Sequence, residues 1–183
     1  MLIAQQKRKE NIIEFLLYMY QIEDLVRSFQ CDESRINADL IPGVLPNPSF
    51  KLQYESWYSE ICKELIRSAK QRKGHLYELE EILTELKLLH RTLLDILKDQ
   101  KYIDLLEVAK NDMEEFAQKS SLINAHPIDI CLHAMHMKLQ FKLRKQSLSK
   151  ETEMAMDSMR VLLAYLGREY QRMKSGHWGM NLN

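Results

Sequence analysis

Residues 126–140 read HPIDICLHAMHMKLQ, which places three histidines, an aspartate and a cysteine within eleven positions. Imidazole and carboxylate three or four residues apart on a helix can converge on one divalent transition metal. At about 100° per residue, Asp129, His133, His136, Gln140 and Arg144 share one polar strip. Lys138, Lys142 and Lys145 gather in a second strip, and apolar residues separate the two. Lysines are seldom buried without a partner, so the lysine strip takes the solvent face and the Asp129, His133, His136 strip turns partly inward. Metal sites in helical bundles draw ligands from several helices, and neither Glu-x-x-His nor His-Glu-x-x-His is present. The preferred reading is therefore a solvated or hydrogen-bonded polar strip with no cofactor. The alternative is a metal-binding protein or metal-dependent enzyme using Asp129, His133 and His136, with Glu23 as a further contributor.

Other chemistry-bearing residues read as structure. Glu23 and Arg27 sit four apart among Ile12, Leu16, Met19 and Tyr20, the spacing of a partly buried ion pair. His90 stands alone in a leucine seam and reads as a satisfied core histidine or one at an interface. Glu80, Glu81 and Glu85 imitate the magnesium-binding Glu-Glu-x-x-Glu of helical nucleotide pyrophosphohydrolases. Glu78, Glu81 and Glu85 nevertheless lie opposite the Leu79, Leu83, Leu86 seam, as a solvated face does. Arg67, Lys70, Arg72 and Lys73 suit the C-terminal end of a helix on dipole grounds. No glycine-rich phosphate loop, nucleophile elbow or Cys–His nucleophile signature occurs.

The elements that must position these residues are helices. Only 5 glycines and 4 prolines occur in 183 residues, and the apolar spacing has the helical period almost throughout. Six helices are expected, over residues 3–29, 50–73, 76–97, 99–119, 127–146 and 149–175. Pro127 suits a first helical position and Ser149 an N-cap. Residues 31–49 hold three of the four prolines and read as one long crossover loop, with a helical turn around 33–40. The expectation is a single all-α domain over 1–183, an elongated bundle of about six mostly antiparallel helices with a loose tail at 176–183.

Lys+Arg and Asp+Glu balance at 26 each, which speaks against a dedicated nucleic-acid binder. Cys31, Cys62 and Cys131 are far apart in sequence and odd in number, as reduced thiols are. The apolar run near the start carries Glu14 and is too short to span a bilayer. The cytoplasm is the expected compartment, with no membrane partner.

The N-terminal run IAQQKRKENIIEFLLYMYQIEDLVR resembles the start of an uncharacterised all-helical family of unknown function from Bacteroides-type bacteria. The resemblance covers most of the chain and includes QIEDLVR, Gln21 to Arg27. It implies a cytoplasmic bacterial protein and supplies no catalytic residues to carry over. Two-sided amphipathicity in the first, fifth and sixth helices points to a non-enzymatic interaction or scaffold protein. Its expected partner is a second copy of itself, as a homodimer, or another protein.

Overall fold

A computed structural model describes residues 2–176. The tail 177–183, with Trp178, lies outside the described residues. The protein is all-α. The expected first helix is two: α1 (Leu2–Glu10) and α2 (Ile12–Ser28) meet at Asn11. Asn11 has extended backbone angles, and its side chain accepts from the N–H groups of Ile13 and Glu14. An asparagine before an apolar run is a strong N-cap, so it restarts the helix in a new direction. The break also receives Gly167 of the last helix, where an added Cβ would lie 2.8 Å from Ile13 Cγ1.

The crossover expected over 31–49 is largely helical, a correction with a clear cause. After α3 (Glu33–Arg35), a π-helical stretch Ile36–Leu40 leads into α4 (Ile41–Val44). Pro42 has no N–H and its ring would strike the carbonyl four residues back. Widening the preceding turn relieves that clash, and a single π-helical turn inside a helix does this. Ile36, Leu40 and Ile41 are buried, so hydrophobic contact, which a count of prolines does not register, holds the segment in place.

α5 (Lys51–Arg67) ends six residues before the expected boundary. Ala69 takes a left-handed conformation (φ 55°), and Lys70 N–H bonds back to the Leu65 carbonyl at 2.8 Å. These are the marks of a Schellman stop made without glycine. Then follow α6 (Tyr77–Arg91), extended by a π-helical turn Thr92–Ile96, α7 (Gln100–Lys119), α8 (Pro127–Leu143) and α9 (Lys150–Lys174). The count of about six helices is thus corrected by the split at Asn11 and the short helices of the crossover.

α9 is the organising element, packing against α2, α6, α7 and α8, while α5 lies on α2 and on the α3–α4 segment. Its inward residues Met159, Leu162, Leu163 and Leu166 are at most 1 % exposed. α8 is buried mainly through its first half, with Ile128, Cys131, Leu132 and Ala134 in the core. Beyond Met135 it emerges, and Leu143 is 71 % exposed.

Candidate functional site

The densest polar cluster sits where the α5–α6 link closes over the end of α2. Glu23, in the penultimate turn of α2, is fully buried. Its Oε1 accepts the Leu76 backbone N–H at 2.7 Å, and its Oε2 accepts His75 Nδ1–H at 2.7 Å. Arg27 Nη1 lies 3.8 Å from the same Oε2. A buried carboxylate is tolerable only when its lone pairs are filled and a cation is near. Here the backbone, an imidazole and a guanidinium share that task. Leu76 is the N-cap of α6 and has no capping side chain of its own. Glu23 caps it from another helix, and Glu64 of α5 accepts the next N–H, that of Tyr77, at 2.7 Å. Negative charge belongs at this positive end of the helix dipole.

Arg27 spreads its donors over the same link. Nε donates to the Lys70 carbonyl at 3.3 Å, Nη2 to the Gly74 carbonyl, and Nη1 to Asp24 Oδ1 at 3.3 Å. The second oxygen of Asp24 accepts from His136 Nε2 and from Gln140 Nε2 of α8, each at 2.8 Å. The hydrogen bond from His136, with help from the Arg27 charge, holds the Asp24 carboxyl below its ordinary range against the opposing pull of burial. Tyr20 joins the two histidines: its ring stacks on His75 at 3.9 Å and meets His136 edge-on at 5.8 Å. Burial, reinforced by the nearby charges of Glu23 and Asp129, drives the Tyr20 hydroxyl upward and keeps it protonated. His136 Nδ1 is the one buried side-chain polar atom without a hydrogen-bond partner among the described residues.

The expected metal triad is not brought together. Asp129 Oδ2 pairs with Lys87 Nζ of α6 at 2.7 Å. His133 is exposed and lies beside the Phe116 ring of α7, with centroids 6.0 Å apart. His136 turns to Asp24 of α2. The three residues therefore face three different helices. Among the described residues no group of three or more His, Cys, Asp or Glu side chains could hold a metal ion, so the metal alternative gains no support. The strip of Lys138, Lys142 and Lys145 is not uniform either, since Lys138 is half-buried and the other two are exposed. Imidazoles on carboxylates can relay protons, yet both carboxylates here are saturated by donors that tie elements together.

The remaining candidates are equally committed. His90 Nδ1 accepts the Tyr102 hydroxyl at 2.6 Å in the core, and burial lowers its pKa to about 4. Glu80 pairs with Lys70 at 2.7 Å. Glu85 takes Lys174 at 2.7 Å and the Tyr170 hydroxyl, and Glu78 takes Arg8. Glu78, Glu80 and Glu85 are thus each paired with a cation. Sequence reasoning passed over His75, Asp24 and Tyr20. Their signal was faint: a histidine between Gly74 and the start of α6, and an aspartate beside the Glu23/Arg27 pair.

Two apolar grooves lie open among the described residues. One, of about 450 Å³, runs between α7 and α8. Its floor is Leu106, Met113, Ala117 and Ile130, and its rim carries Glu107, Lys110, Glu114 and Gln118. The other, of about 360 Å³, lies among α2, α8 and α9.

A family model described as Domain of unknown function (DUF4924) matches residues 1–177. The chain belongs to that family. DUF4924 carries no activity to transfer, so function in this member rests on its own geometry. No curated protein and no solved structure matches the chain. Among the described residues of this DUF4924 chain, no helix is long and apolar enough to cross a membrane.

Proposed function

We propose that this chain is a non-enzymatic interaction bundle that needs no cofactor and acts in the bacterial cytoplasm as a homodimer. The observation that carries this reading is the rim of the α7–α8 groove. Glu107, Lys110 and Glu114 follow one another along a single face of α7, negative, positive, negative. None of the three makes an ion pair among the described residues. A two-fold axis midway between Lys110 and Glu114, near position 112, sets each Lys110 against Glu114 of the other copy, and the same patch serves both subunits. The apolar floor supplies area free of charge, and Ile123 at the groove's end is 71 % exposed. Charge complementarity of this kind fixes register and partner more than it adds affinity.

The further support is chemical. Glu23, Asp24, His75 and His136 spend their hydrogen bonds on the start of α6 and on joining α2 to α8, which supports a structural role for the densest group of acids and histidines. Light scattering coupled to size exclusion tests the proposal. A mass near twice 21.7 kDa is expected. A mass of one chain at all concentrations overturns it.

A further inference from the structure

The α2–α8–α9 groove differs from the proposed dimer face in one respect, the sign of its rim. Its floor is apolar: Ile13 and Leu17 from α2, Met135 and Leu139 from α8, Leu163 from α9. Its rim holds Lys138, Lys142 and Arg160. Arg160 is neutralised by Asp157 at 2.7 Å, and the one rim acid, Glu14, by Lys7 at 3.0 Å. Lys138 and Lys142 make no ion pair among the described residues. Sequence deepens the asymmetry. From residue 130 to 150 there is no Asp or Glu, while Lys138, Lys142, Arg144, Lys145 and Lys150 are all cationic. In a chain with no net charge, this is a concentrated positive field beside exposed apolar surface.

We infer that this groove docks an acidic amphipathic helix of a partner protein. A helix laid in a groove presents side chains at i, i+3, i+4 and i+7 to an apolar floor, and acidic flanks would meet Lys138 and Lys142. A second copy of this chain is a poor occupant, because a two-fold axis here sets lysine rim against lysine rim. A bilayer is a poor occupant, because the face is concave on three helices, whereas interfacial binding uses a helix lying flat in the surface. Met135 in the floor gives the groove an adaptable lining.

The test uses the full chain and a fluorescein-labelled helical peptide with leucines on one face and glutamates on both flanks. A second peptide has lysines in place of the glutamates. Fluorescence anisotropy is expected to show the acidic peptide bound, the basic one unbound, and affinity falling steeply with salt. Lys138→Glu/Lys142→Glu should weaken the acidic peptide at least about tenfold, with the urea midpoint and the light-scattering mass unchanged. That unchanged mass separates this groove from the dimer face. Equal binding of both peptides, no binding of the acidic one, or full binding by the charge-reversed chain overturns the inference. So does co-sedimentation with phosphatidylglycerol vesicles in place of peptide binding.

Discussion

Glu23 Oε1 accepts the backbone N–H of Leu76 at 2.7 Å across 53 positions of sequence. One carboxylate in α2 thereby caps α6 and anchors the link that leads into it. Glu23→Ala would leave the Leu76 N–H and His75 Nδ1 without their acceptor and remove the carboxylate 3.8 Å from Arg27 Nη1. Removing one partner of a buried charge network costs about 3 kcal/mol or more. Glu23→Gln keeps one carbonyl acceptor and should lose about half of that. Urea unfolding of the two variants checks the order. A loss under about 1 kcal/mol for the alanine variant would mean that the cluster fastens nothing.

Asp24 gives a pH signature. Its folded pKa is depressed, chiefly by the His136 hydrogen bond, whereas in the unfolded chain it titrates near about 3.9. The stabilisation is fully present above that value and is lost as pH falls through the folded pKa. Carbon-detected NMR titration should find Asp24 below the ordinary carboxyl range. His136→Ala should move it upward. An unchanged Asp24 titration in that variant would contradict the assigned cause.

His90 carries the same sign for a different reason. Burial holds it neutral with a folded pKa of about 4, against about 6.5 unfolded. The unfolded chain takes up the proton first, so stability falls as pH drops from about 6.5 towards about 4. The His90 ring resonances should stay unprotonated at pH 6 and titrate near the lower value. Titration near 6.5 would mean that the ring is not sealed against Tyr102.

At Gly167 two effects compete. Alanine is the better helix former by about 1 kcal/mol, but its Cβ would sit 2.8 Å from Ile13 Cγ1. Overpacking typically costs about 1–3 kcal/mol, so Gly167→Ala should be net destabilising by about 1 kcal/mol. Ile13→Val in the same chain should recover part of the loss. A stabilised Gly167→Ala would show that α9 is free to slide from α2.

Local signals in the sequence were sufficient for α9. Ser149 caps it, accepting the Thr152 N–H at 3.2 Å, and the helix ends at Lys174, one residue short of the expected boundary. Pro127 likewise opens α8. The break at Asn11 had its sign in the chain, an asparagine before IIEF, but the good helix formers QQKRKE before it carried the helical reading through it. The cluster around Glu23 was only half legible. The i, i+4 spacing of Glu23 and Arg27 is local, whereas His75, the Leu76 N–H and Asp24's partners on α8 arrive through tertiary closure. The strip of Asp129, His133 and His136 is not gathered into one cluster, for a geometric reason. Asp129 is drawn to Lys87, His133 lies beside Phe116 and His136 is drawn to Asp24, so the three side chains do not converge. From Asp129 to His136 α8 passes α6, α7 and α2 in turn, and each residue meets a different neighbour.

The dimer is tested most directly by charge exchange on α7. Lys110→Glu alone and Glu107→Lys/Glu114→Lys alone should each give a single-chain mass by light scattering, because like charges would face one another. An equimolar mixture of the two should regain twice the mass of one chain. Two variants that remain dimers on their own, or a mixture that stays at one chain, would contradict the proposal that this groove joins two copies.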